Sequence, residues 1–457
     1  MKKDNGITLI ALVITIVVMI ILAGVAINLT LGENGVFRKA KFAKEEYNNA
    51  QIDEQTMLNE LATFGIDGSN LEENTPTTDA GTLVKLPDSW SSDTMRYVNT
   101  ADGKEVTNVE KVATVYAISV GNGDTVPIPY GFYYVGGTLN SGVVISDNVE
   151  DKDTYKGQED VPSGIVLNDD GTTISYVLKG NLFVWIPVSI NSYNKYDWGT
   201  TYRNNIYVID TPVGEKVQIQ KYGGLYVGRY EAGLASTITE TTSTQKNTGT
   251  NGTYNLAGIP QSKAGLIPWN FVSYTQATQN AQNMYSNNYV TSGLITGTQW
   301  DAMISWMTGA SNSNELTSNC NWGNYIDTTP AYIGRTAYVY VSSGYWYQNK
   351  FTDTFTSGTK PAGTVNTSNN GKATLLTTGA SEQDKKKNIY DVAGNLWEWV
   401  EETAVATTSN GVLINNKVLR GGSFGDAYAS RPACYRNYNT ASSTNTTYGF
   451  RPVLYIK

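Results

Sequence analysis

An uncharged apolar run from Ile7 to Leu31, ITLIALVITIVVMIILAGVAINLTL, constrains this chain more than any other feature. A helix of that length and hydropathy is long enough to span a bilayer. Lys2 and Lys3 precede it and hold the N-terminus on the cytoplasmic side. A charged, helix-permissive stretch follows from Phe37 to Phe64. In a secretory signal the small-residue cleavage site comes after the apolar region. Here the small residue at the charge boundary, Gly6, comes before it.

That order of basic residues, Gly6, Thr8-Leu9 and apolar run resembles the type IV prepilin signal. The resemblance implies a leader, 1–6, removed between Gly6 and Ile7 by a prepilin peptidase. It also implies a retained helix over 7–64, which lies in the membrane through 7–31 and later packs against other pilin-like subunits in a filament core. Major pilins place a glutamate at the fifth mature position, where this chain has Ala11. A carboxylate inside an apolar helix is costly unless paired, so its absence fits a minor subunit at a pilus tip. A plain single-span anchor is the other reading. On either, the expected location is the cell membrane and then the cell surface.

Composition narrows the remainder. A net charge of -8 and a pI near 4.9 exclude nucleic acid as the main partner, which needs a basic face. The chain has no histidine, which removes histidine-dependent triads, zinc hydrolases and facial-triad iron sites. Paired-carboxylate hydrolysis and cysteine or copper-thiolate chemistry stay open. Tyr (31) and Gly (44) are abundant and charged residues are only 16%, the profile of an extracellular, loop-rich binding protein. Cys320 and Cys434 allow one bridge or two free thiols.

The pattern along the chain predicts an α+β fold with many short strands and few helices. Residues 65–110 are polar and turn-rich and read as a spacer. Strand signals then appear at Val112–Ile118, Gly131–Val135, Leu182–Val188 and Ala337–Val341, and again at the C-terminus. Helices are expected over Thr275–Tyr285, capped by Ser273, and over Gly297–Met307, with Trp300, Ile304 and Met307 on one face. Ser236–Tyr254 and Thr352–Lys387 read as polar surface loops.

Four segments in order carry a second resemblance: Phe183–Pro187, Ile295–Trp300, Tyr390–Trp399, and Arg420-Gly421-Gly422-Ser423-Phe424 running to Gly449-Phe450-Arg451-Pro452-Val453. They resemble the formylglycine-generating enzyme (sulfatase-modifying factor) family, a branch of the C-type-lectin-like folds, and the resemblance implies such a domain over 111–457. Strand alternation puts Trp397 and Trp399 on one face and Glu398 on the other. The resemblance further implies a structural calcium held by Asp391 and Glu398 through their side chains and by Gly394 and Leu396 through backbone oxygens. The alternative is that Glu398 pairs with an arginine such as Arg451. No catalytic cofactor is expected. The family's oxidase uses two cysteines just after its R-G-G-S-W motif, and here Asp426 and Arg431 stand in those places. A divergent oxidase would have to use Cys434.

Between Phe424 and Tyr448 the chain uses Tyr, Asn, Ser, Thr, Asp, Ala and Arg and contains no Lys, Glu, Gln, Met or Trp. Antibody paratopes favour the same residue types. The composition resembles the variable region of retroelement-diversified proteins, which also lies at the extreme C-terminus. The expected contacts with an extracellular protein or glycan are Asp426, Tyr428, Ser430, Arg431, Tyr435, Asn437, Tyr438, Asn439 and Tyr448, all exposed and tolerant for folding. A structural minor pilin without a specific ligand is the remaining alternative. Mass spectrometry of the surface-extracted protein should find Ile7 as the mature N-terminus, whereas Met1 or a cut beyond Leu31 would remove the prepilin reading.

Overall fold

The computed structural model describes residues 115–457 apart from 121–123, 171–173, 194–197, 199–206, 210–213, 235–256, 310–321, 327–337, 341–345, 349–374 and 408–412. It also describes the short strands Thr77–Thr78, Gly81–Lys85 and Tyr97–Asn99. All of these belong to the second of two compact units, Asn74–Lys457. The apolar run and the Gly6–Ile7 junction lie outside the described residues, among which no helix is long and apolar enough to cross a membrane.

Eleven strands and three helices set the frame. In chain order the strands are β1 (Tyr133–Gly136), β2 (Val143–Ser146), β3 (Leu182–Pro187), β4 (Tyr207–Ile209), β5 (Gly224–Gly228) and β6 (Val290–Leu294). They continue with β7 (Trp397–Thr407), β8 (Leu413–Arg420), β9 (Asn437–Asn439), β10 (Tyr448–Phe450) and β11 (Pro452–Ile456). The helices are α1 (Gly214–Tyr222), α2 (Tyr274–Asn283) and α3 (Gly297–Thr308). One antiparallel sheet has the order β6-β11-β5-β3-β2-β1 and a second has the order β4-β7-β8-β9, with β10 parallel to β7. The domain is sheet-rich with few helices, as the sequence predicts.

Local chemistry explains the placements. In β3 the continuous apolar run Phe183–Ile186 is buried throughout, as suits a strand well inside its sheet. Both expected helices form, each opened by a capping box, Ser273 with Gln276 and Thr296 with Gln299. Trp300, Ile304 and Met307 are in the core. The last strand, β11, lies between β6 and β5, so the C-terminus is stitched into the sheet interior.

Three regions hold structure beyond the sequence reading. The 65–110 spacer contains the three short strands before residue 100. The stretch read as a surface loop from Thr352 contains a buried part: Leu375 and Leu376 are in the core, and Thr378 Oγ1 donates to the Lys263 carbonyl at 2.6 Å. Helix α1 was not foreseen, because its apolar residues Val217 and Ile219 alternate rather than recur at helical spacing. The other long insertion, 236–254, lies outside the described residues.

Candidate functional site

Trp397 and Trp399 point from β7 into the core, and Glu398 points the other way. Both Glu398 oxygens accept from Arg451, Nε at 3.0 Å and Nη2 at 2.7 Å. Arg451 also donates to the carbonyls of Gly228 at 2.9 Å, Tyr390 at 2.9 Å and Asp391 at 3.0 Å. One guanidinium therefore ties the start of β11 to β5, to β7 and to the 390s turn. In that turn Asp391 and Gly394 take left-handed backbone, φ 58° and 74°, and a Cβ on Gly394 would lie 2.2 Å from the Asn324 carbonyl oxygen. Glycine is required there.

The calcium expectation meets this pairing directly. The Asp391 carboxylate accepts from the Gly379 amide at 2.7 Å, and Glu398 is committed to Arg451. An ion held jointly by Asp391, Gly394, Leu396 and Glu398 would have to displace a guanidinium. Among the described residues no group of three or more His, Cys, Asp or Glu is placed to hold a metal. In this arrangement Glu398 pairs with Arg451, as the arginine alternative has it. Nearby Glu231 is buried as well; one oxygen accepts from Asn395 and the other has no partner among the described residues.

A second buried ionic group fixes the tail. The side chains of Asp301 of α3, Glu402 of β7, Arg420 at the end of β8 and Arg436 are each at most 1% exposed. Arg420 Nη2 lies 2.6 Å from Asp301 and Nη1 lies 3.5 Å from Glu402. Arg436 donates through Nε to Glu402 at 3.1 Å and through Nη2 to Asp301. The Trp198 indole adds a bond to Asp301 at 3.1 Å. Burial alone would raise the Asp301 carboxyl, but Arg420 and Arg436 overcome it and hold it below its ordinary range. Two positive and two negative charges balance. Removing one partner from such a buried group typically costs about 3–5 kcal/mol. Gly297 admits Glu402, since a Cβ there would meet its carboxylate at 2.5 Å.

The tail divides at this anchor. Gly421 and Gly422, φ 95° and 75°, turn the chain out of β8. Asp426, Arg431, Asn437, Tyr438, Asn439 and Tyr448 are half-buried, and Ser430 is exposed. Asp426 accepts from Ser423 Oγ at 2.5 Å, and Asn439 donates to the Tyr448 hydroxyl at 3.0 Å. Tyr428 and Tyr435 were expected to be exposed but are only 3% and 4% exposed. Tyr428 packs edge-on against Tyr325 at 5.1 Å and Tyr435 against Trp397 at 6.0 Å. They are core residues within a polar-looking segment. Arg436, which sequence reasoning passed over as an anchor, is 1% exposed; its place between buried neighbours distinguishes it from the half-buried Arg431.

Cys434 is fully buried, and Cys320 lies outside the described residues. Burial pushes the Cys434 thiol up to about 12, Asp301 adds to the rise, and Arg420 and Arg436 only partly oppose it. Burial of this kind disfavours the thiolate, the form that attacks substrates and binds metals.

Comparison with known proteins gives a match to the sulfatase-modifying factor enzyme 1-like domain over residues 227–456. No curated protein matches the chain. Among solved structures, the chain is similar to CarF at 12% identity and TM-score 0.28, covering 51% of this chain and 87% of that one. It is also similar to Treponema denticola variable protein 1 at 13% identity and TM-score 0.23, covering 55% of this chain and 98% of that one.

The carboxyl cluster gives a test with a defined sign. Burial pushes Asp391 up to about 6 and Glu398 up to about 7, above their unfolded values. Their contribution to stability is therefore present below the unfolded values, near 4, and is lost as pH rises through 6 to 7. Without calcium, the wild-type melting temperature should fall between about pH 5 and about pH 8 and should not respond to a chelator. A calcium-saturated site would keep both carboxylates ionised, and the melting temperature would drop on chelation.

Proposed function

The chain belongs to the sulfatase-modifying factor enzyme 1-like family, and we propose that it is a non-enzymatic binding member, displayed at the cell surface on a pilin-type N-terminal helix. The observation that carries this reading is the division of the tail. Arg436, Tyr428 and Tyr435 are locked into the core, while Asp426, Ser430, Arg431, Asn437, Tyr438 and Asn439 present polar and aromatic groups at or near the surface. A framework that holds itself together without its outer side chains leaves those side chains available for recognition. The reading is of a C-type-lectin-like face that binds an extracellular protein or glycan.

Asp426 and Arg431 stand where the family's oxidase has cysteines, and Cys434 is buried and protonated, which supports binding over oxidation. On this proposal the prepilin peptidase cuts after Gly6, the helix passes through the membrane, and other pilin-like subunits carry the domain outward, as at a pilus tip. Adhesion is the role that follows. Diversification of 424–448 by a retroelement belongs to the same proposal, and a near-copy of its coding DNA beside a reverse-transcriptase gene would support it.

Arg431→Ala and Asn437→Ala should cost no more than about 1 kcal/mol of stability, since both side chains are only half-buried and neither belongs to a buried ion pair. On an array of extracellular proteins and glycans, loss of a true hot spot should weaken the captured ligand by about 2 kcal/mol or more. Cys434→Ser should leave that binding intact. Unchanged binding in the Arg431 and Asn437 variants, or peroxide-producing turnover that disappears with Cys434→Ser, would refute the proposal.

A further inference from the structure

A separate pocket with room for about one water-sized group opens beside α1, and none of the tail residues lines it. Its walls include Trp185, Glu215, Gln218, Tyr226, Gln299 and Tyr455. Glu215, in the first turn of α1, is 6% exposed. Its Oε2 accepts from the Tyr193 hydroxyl and from Thr296 Oγ1 at 2.9 Å. Its Oε1 accepts from no described group, and no described ion pair includes Glu215.

The two neighbouring glutamines each have an amide donor engaged. Gln218 Nε2 donates to the Ile456 carbonyl, which leaves its Oε1 as a second acceptor. Gln299 Nε2 donates to the Tyr455 hydroxyl at 3.2 Å, and its Oε1 accepts from the Thr296 amide at 3.0 Å. Trp185 and Tyr226 add ring surface, with centroids 4.9 Å apart. Burial pushes the Glu215 carboxyl up to about 7, opposed by Tyr193 and Thr296, and the neighbouring charge, Glu401, adds to the rise.

The cavity thus offers unused acceptor oxygens and aromatic faces, with no free cation. The matching guest has several N–H donors, no acceptor, a positive charge and a small head. A lysine-type ammonium has these properties, and aromatic faces attract it further. We propose that the cavity between α1, β3 and β11 binds a primary ammonium group through Glu215 Oε1 and Gln218 Oε1. The group arrives on a free small amine or on the lysine side chain of a protein.

The test uses the full chain and thermal melts at pH 7.5. The probes are methylammonium chloride, Nα-acetyl-lysine methylamide and the Nε-acetylated form of that lysine derivative, each against sodium chloride at equal ionic strength. A ligand that binds the folded state alone raises the melting temperature saturably. At least one of the two amines should do so and the Nε-acetylated form should not, while Glu215→Gln should weaken the response at least tenfold. Stronger binding of methylammonium assigns the site to small amines, and stronger binding of the lysine derivative assigns it to a protein lysine. No saturable rise with either amine, an equal rise with the acetylated form, or an unweakened response in Glu215→Gln would overturn the proposal. Should Glu215→Gln fail to fold, the comparison of amine with acetylated form on the wild type decides alone.

Discussion

Asp301, Glu402, Arg420 and Arg436 place two positive and two negative charges where solvent does not reach them, and each comes from a different part of the chain. Asp301 belongs to α3, Glu402 to β7 and Arg420 to the end of β8, while Arg436 lies within the tail. None of the four is tolerable alone, because an unpaired buried charge costs more than its pairing returns. The tail is therefore obliged to bring Arg436 back to the same point on every molecule. This group fixes where the segment from Phe424 to Tyr448 touches down, and its neighbours take their places from that contact.

A second guanidinium does the same for the end of the chain. Arg451 joins Glu398 on β7 to the carbonyls of Gly228, Tyr390 and Asp391, just before β11 enters the sheet between β6 and β5. Gly449 lets Leu396 approach, since a Cβ there would meet that side chain at 2.7 Å. The tail is thus clamped at Arg420 on leaving β8, at Arg436 midway and at Arg451 on return. Between the clamps the outer residues Asp426, Ser430, Arg431 and Asn437 are free to differ in chemistry with little effect on the fold, whereas Tyr428 and Tyr435 are held in the core. That is the physical basis for reading them as a recognition surface.

Much of this frame was legible in the sequence. Alternation in Leu396–Val400 placed the two tryptophans inward, and the Ser273 cap and the helical spacing after Gly297 located α2 and α3. Pairing of Glu398 with Arg451 was foreseen as one of two alternatives. Asp301 was hidden because a carboxylate on the buried side of an apolar helix is unremarkable until its arginines are known. Tyr428 and Tyr435 depart from the sequence reading because composition describes the tail as one polar segment, whereas Tyr428 packs on Tyr325 and Tyr435 on Trp397. Only tertiary packing separates a tyrosine anchor from a tyrosine contact.

The central claim is that buried anchors, and not the outer side chains, determine the folded tail. A displayed library that randomises each position from Asp426 to Asn439 singly, sorted for resistance to proteolysis, tests it most directly. The account predicts that Asp426, Ser430, Arg431 and Asn437 accept most residues, while Tyr428, Tyr435 and Arg436 recover only their own types or close substitutes. Equal tolerance at Arg436 and Arg431, or intolerance spread evenly along the segment, would contradict it.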